Sequence, residues 1–171
     1  AIRQRAETDF RTRGMGTTLV AAFGTQPDDA VVANIGDSRA YHFCAQAGTL
    51  RRVTRDHSLV EEMMLSGHLT AEQARTYPFR NVITRALGAS TDVVPDFFEV
   101  GLQPGDALLL CSDGLTNEVA EPEICAVLTQ FASNPEAACE NLIARALESG
   151  ARDNVSVCLA FYSDEEGGDA T

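Results

Sequence analysis

The sequence has no apolar run near the roughly 20 residues that a membrane span requires, and no secretory signal pattern opens it. No membrane association is expected from it, and the chain reads as cytoplasmic. Its five cysteines, Cys44, Cys111, Cys125, Cys139 and Cys158, are odd in number and include no Cys-x-x-Cys pair. That excludes a disulfide or zinc framework and leaves small core hydrophobes in a reducing compartment. Basic residues are scarce: 13 Lys and Arg against 25 Asp and Glu give a net charge of −12. Such a surface repels phosphate backbones, so nucleic acid is not an expected partner. No Ser-His-Asp or cysteine nucleophile stands out. Gly14-Met15-Gly16-Thr17-Thr18 lacks both the Lys of a Walker loop and the third Gly of a dinucleotide fingerprint, so it reads as a close-packed turn.

What is present is ordinary globular material: 171 residues, 44% hydrophobic and 22% charged, with 6 Pro and 13 Gly. This suits one domain that buries roughly 70% of the surface its unfolded chain exposes. Residues 1–13 read as the end of a helix or an arm. Strand signals run over 17–23, 31–35, 40–43 and 50–54, separated by Gly, Asp, Asn and Ser, which suggests an antiparallel meander joined across Gly36-Asp37-Ser38-Arg39. From Ser58 to Arg75 the pattern is helical, broken at Gly67 and restarted at Thr70, which suits an N-cap. Strands return over 97–100 and 107–111. Helices follow over 121–131 and 135–148, each with Pro near its start, and a last strand over 155–162. The order of elements is α+β rather than a βαβ repeat. Residues 163–171 read as a flexible acidic tail.

Three aspartates stand at strand ends. Asp113 closes the apolar run 108–111 and precedes Gly114, Asp153 comes just before the last strand, and Asp37 occupies a turn between strands. Carboxylates held rigidly at a sheet edge are what hard divalent cations ask of their ligands, although Asp also serves turns for its own sake. Two such groups about 4 Å apart repel by roughly 1–4 kcal/mol, so a shared site requires a cation to offset the charge. His42, His57 and His68 fit packing, a structural loop and a surface position better than a catalytic acid. Arg3, Arg5, Arg11 and Arg13 read as a solvated helical face.

Six motifs occur in one order: Gly14-Met15-Gly16-Thr17-Thr18, Asn34-Ile35-Gly36-Asp37-Ser38-Arg39-Ala40-Tyr41, Arg55-Asp56-His57-Ser58, Arg80-Asn81-Val82-Ile83-Thr84-Arg85-Ala86-Leu87-Gly88, Cys111-Ser112-Asp113-Gly114-Leu115 and Arg152-Asp153-Asn154-Val155-Ser156. In this order and over residues 14–162 they resemble metal-dependent type 2C Ser/Thr protein phosphatases, bacterial members especially. The resemblance implies a sandwich of two antiparallel sheets flanked by helices (α-β-β-α), with two or three Mn²⁺ or Mg²⁺ ions at one end. It assigns Asp113 and Asp153 to the metal pair. Asp37 joins Asp113 at a third ion that Asn81 can approach, and Asn154 and Gly114 stand just behind the ligands. It also implies a substrate flap over about 57–80, carrying Leu59, Met63, His68 and Arg80. Ions of this kind lower the pKa of a shared water and steady the phosphoryl oxygens, so no covalent intermediate is needed.

The resemblance departs at the start of the chain. An acidic residue, an Asp-Gly-x-Gly-Gly segment, a phosphate-gripping Arg and a His acid belong to the pattern, and residues 1–13 match none of them. Residues 1–162 are therefore expected to be the C-terminal part of a catalytic domain, incomplete at its N-terminus and weakly active or inactive alone. The intact parent is expected to act on a phosphoprotein and to oppose a Ser/Thr kinase. A noncatalytic, phosphatase-like binding module with the flap as its face is the alternative. Unpaired sheet edges predict dimerisation or strand exchange.

Overall fold

The computed structural model describes residues 2–26, 28–132 and 134–163; the tail expected over 163–171 lies outside them apart from its first residue. Helix α1 (Ile2–Thr8) and a 3₁₀ turn (Phe10–Thr12) precede strands β1 (Leu19–Gln26), β2 (Asp29–Ile35), β3 (Arg39–Cys44) and β4 (Thr49–Arg52). Helices α2 (Leu59–Leu65) and α3 (Ala71–Thr76) lie in the segment expected to be the flap. Strands β5 (Asp96–Gly101) and β6 (Ala107–Cys111), helices α4 (Asp113–Thr116), α5 (Glu121–Gln130) and α6 (Pro135–Glu148), and strand β7 (Val157–Phe161) complete the order.

Two antiparallel sheets result, β1-β2-β5 and β4-β3-β6-β7. Alternation along each strand assigns its faces. Ala30, Val32 and Val100 of the first sheet meet Ala40 and Leu108 of the second, with Val53 beside them, and fill the space between the sheets. The opposite face of the second sheet carries Tyr41, Phe43 and Leu109, which pack under Ile124, Val127 and Leu128 of α5 and Leu142 of α6. This is the α+β sandwich that the sequence implies, with α5 and α6 layered on one sheet.

The meander does not form as expected. Strand β2 pairs with β5, Ala33 opposite Phe97, while β3 pairs with β6, Tyr41 opposite Leu109. The segment Gly36-Asp37-Ser38 therefore carries the chain from one sheet to the other instead of turning a hairpin. Gly36 makes this crossing at φ +104, and a Cβ there would meet the Thr18 side chain. Helix α4, a single turn, is an element the sequence reading missed. In the flap the caps are as expected: Ser58 Oγ accepts from Glu61 N, and Thr70 and Gln73 form a reciprocal capping box. The Gly14–Thr18 turn packs as expected too, with Thr17 and Leu87 bonded backbone to backbone in both directions.

The cysteine reading holds for buried Cys111 but not for Cys158, which is exposed. On edge strand β7, Val157, Leu159 and Phe161 face the helices, so Cys158 points to the uncovered side. All five thiols are free. Among the described residues no helix is long and apolar enough to cross a membrane.

Candidate functional site

Strand β6 ends at Cys111, and Ser112 ties that end to the start of β7. Its N–H donates to Ser156 O (3.0 Å), its Oγ accepts from Ser156 N (3.0 Å), and the same Oγ donates to Asn154 O (3.2 Å). Gly114, one residue beyond Asp113, lies so close that a Cβ would press into the Asn154 carbonyl. The loops bearing Asp113 and Asp153 are thus joined through their backbones at one end of the second sheet. Asp113 is half-buried and accepts from Asn117 Nδ2 (3.2 Å). Asp153 is exposed and accepts from the N–H of Asn154 (2.7 Å), while the Asn154 side chain faces solvent.

Asp37 reaches the same end of the molecule from the crossing between the sheets. Burial, and then the negative charge of Asp113, push its carboxyl above the usual carboxylate range. A nearby Arg39 opposes this only weakly, because its guanidinium is committed to Asp56: Nη2 lies 2.7 Å from Oδ2 and Nε 3.1 Å from both oxygens. Arg52 Nη2 stands 2.6 Å from the other Asp56 oxygen but off the hydrogen-bonding line, an ion pair rather than an aligned bond. Asp56 is buried, so both charges it faces serve the fold.

Asp37 therefore lies within reach of the Asp113 charge, and the Asp153 loop abuts that of Asp113. Among the described residues no three carboxylate, His or Cys groups gather tightly enough to enclose an ion, Asp153 being turned to its own loop. Asn81 lies exposed just after the expected flap segment, with no hydrogen bond to these aspartates among the described residues. Leu59 and Met63 are half-buried on α2. Exposed His68 bonds Ser66 Oγ (2.7 Å), and Arg80 Nη1 donates to Arg75 O (3.2 Å).

A family model described as stage II sporulation protein E (SpoIIE) matches residues 1–162. The chain belongs to the SpoIIE/type 2C phosphatase family. A serine/threonine phosphatase stp of Listeria welshimeri is 45% identical over 154 residues, 90% of this chain and 60% of the relative. Among solved structures, a bacterial serine phosphatase superposes with TM-score 0.87 at 37% identity, covering 96% of this chain and 65% of that one. The catalytic domain of the phosphatase PstP, solved with two manganese ions, gives 0.83 at 32% identity over 95% of this chain and 66% of that one. The chain thus spans about three fifths of the curated relatives' length.

Within this type 2C domain, His57 has the structural loop role expected of it, and sequence reasoning missed the other side chains that hold the Asp37 crossing. His57 accepts from Gly36 N through Nδ1 (3.1 Å), and Asn34 Nδ2 donates to Gly36 O (3.3 Å) and Arg55 O (3.0 Å). Ser38 and Thr18 share a hydroxyl–hydroxyl bond of 2.8 Å. Only the recurrence of polar residues inside the motifs signals them; apart from the Asn34–Gly36 bond, their partners lie 20 or more positions away.

Proposed function

We propose that the protein carrying this chain hydrolyses phosphoserine and phosphothreonine esters of proteins with the help of divalent cations. Asp113 and Asp153 hold the principal ions, and Asp37 with Asp113 holds a further one. The observation that carries this reading is that half-buried Asp37 feels the charge of Asp113, whose loop is hydrogen-bonded to that of Asp153 at one end of the second sheet. The donor set fits the group. Asp37 and Asp113 are both half-buried, burial and the Asp113 charge make Asp37 costly to ionise, and Mg²⁺ is held through one or two carboxylates while keeping several waters. When bound, such ions supply an activated water and countercharge for in-line displacement at phosphorus.

The residues of this chain do the holding. Ser112 and Gly114 fix Asp113 against the Asp153–Asn154 loop, and the Gly36 crossing presents Asp37 toward them. Exposed Arg80 and His68, with half-buried Leu59 and Met63, form the flap surface over which a phosphoprotein segment passes. The native ion is Mn²⁺ or Mg²⁺, and a cytoplasmic protein opposing a Ser/Thr kinase suits the reading.

With two or three carboxylates and no further ligands identified, this chain alone is expected to turn over p-nitrophenyl phosphate weakly or not at all. The full-length protein is expected to show Mn²⁺-dependent turnover of a phosphothreonine peptide, abolished by chelator and by Asp113→Asn. Full activity of that variant would remove Asp113 from the ligand set. Absence of turnover in the full-length protein favours a noncatalytic module, whose interaction face would be the exposed Leu65 and Phe79 of the flap.

A further inference from the structure

Both peptide planes that flank the Gly36 Cα are held by one residue. The Gly36 N–H donates to His57 Nδ1 (3.1 Å), and the Gly36 carbonyl, in the plane that leads into Asp37, accepts from the His57 N–H (2.9 Å). The imidazole is 2% exposed. A backbone N–H can only donate, so Nδ1 is an acceptor and the ring proton sits on Nε2. That nitrogen donates to Asp96 Oδ2 (3.2 Å), whose other oxygen accepts from Arg85 Nη1 (2.8 Å). The His57 carbonyl accepts from Thr84 N (2.8 Å), at the far side of the flap. His57 is thus fixed by β5 and by both roots of the flap, and it passes that fixation to one glycine.

Gly36 has little freedom to answer in any other way. Thr18 packs where a Cβ would be, and Asn34 Nδ2 adds a second bond to its carbonyl. The position of the Asp37 carboxylate is therefore set by the crossing peptide, including the hydrogen bond it accepts from the Asp37 backbone.

We propose that His57 is a positioning residue for divalent-cation binding at Asp37: its Nδ1 and N–H orient the Gly36 peptide so that the Asp37 carboxylate faces Asp113. This rests on the reading of Asp37 as a ligand. Its chemistry needs an acceptor at the Nδ1 position and is indifferent to which group occupies the Nε2 position.

The test compares two replacements in the purified protein. His57→Asn keeps an acceptor where Nδ1 stands, and His57→Gln reaches toward Asp96 but leaves the Gly36 N–H unanswered. Mn²⁺ binding is read from the paramagnetic resonance of the free ion, with Asp37→Asn marking the Asp37-dependent part, beside metal-free thermal unfolding. His57→Gln is expected to weaken the Asp37-dependent binding about 10–100-fold, the range for lost support of a metal ligand, with His57→Asn close to wild type. Equal binding by His57→Gln and wild type overturns the proposal, as does a loss in both variants that follows their loss of melting temperature. If wild type and Asp37→Asn bind alike, Asp37 is no ligand and the proposal falls with that reading. Amide exchange needs no variant: the Gly36 N–H is expected to be protected in wild type, and fast exchange there also overturns the proposal.

Discussion

At Gly114 there is no room for a methyl group, because the Asn154 carbonyl fills the space. Gly114→Ala is expected to cost about 1–3 kcal/mol by overpacking. It should also part the Asp113 and Asp153 loops, so Mn²⁺ affinity should fall together with the denaturant midpoint. Asp37 has the opposite stability sign. Burial and the Asp113 charge raise its pKa, so the folded state holds its proton more tightly than the unfolded one. Stability therefore declines as pH rises above the ordinary carboxylate value near 3.9, and the cost persists at neutrality. In chelator at pH 7, Asp37→Asn should melt above wild type, by up to about 1 kcal/mol after solvent screening. The gain should vanish below about pH 3.9, where both side chains are neutral. An unchanged melting point at pH 7 would mean that burial and the Asp113 charge do not make Asp37 costly to ionise.

Among the elements, β3 and the turns around it depend on one carboxylate. Asp106 accepts from the Ala45 N–H (2.9 Å), the Gln103 N–H (3.1 Å) and His42 Nε2 (2.8 Å), joining the end of β3 to the entrance of β6. Burial favours its protonated form, but these bonds outweigh burial and lower its pKa. Its contribution is thus complete above the unfolded carboxylate pKa near 3.9 and is lost as pH falls through the lower folded value. Asp106→Ala should cost about 1–3 kcal/mol in urea unfolding at pH 7 for the orphaned partners, and flatten the acid limb of stability against pH. This carboxylate escaped the sequence reading because it sits beside the Pro104-Gly105 turn, where an Asp needs no further explanation. Local signals sufficed elsewhere. Thr70 and Gln73 fix the start of α3, and Gly67 at φ +76 ends the segment before it.

For the molecule as a whole, the outer face of the first sheet carries exposed apolar side chains. Leu19, Phe23 and Phe97 are 43%, 57% and 65% exposed, on strands whose register brings Phe97 beside Ala33 and Ala33 beside Ala21. Apolar surface of this kind, flanked by the free edges of β1 and β5, favours association. Light scattering of the isolated chain is expected to give a mass above 18.3 kDa that rises with concentration. Phe23→Asp should bring it back toward the monomer. A wild-type mass independent of concentration would show the face to be inert.

The sequence by itself determined what neighbouring residues decide. Alternating apolar runs made the strands, Ser58 and Thr70 capped the flap helices, Pro and Gly placed the breaks, and six motifs in order pointed to the family. It could not choose partners for β2 and β3, because the contacts that separate them lie with β5 and β6, more than 60 positions further on. Nor could it bring Asp37 to Asp113, or close Gly114 onto Asn154. The first approach arises from the crossing between the two sheets, the second from the pairing of β6 with β7. Burial then decides which polar side chains, His57 and Asp106 among them, are enclosed with partners from distant segments.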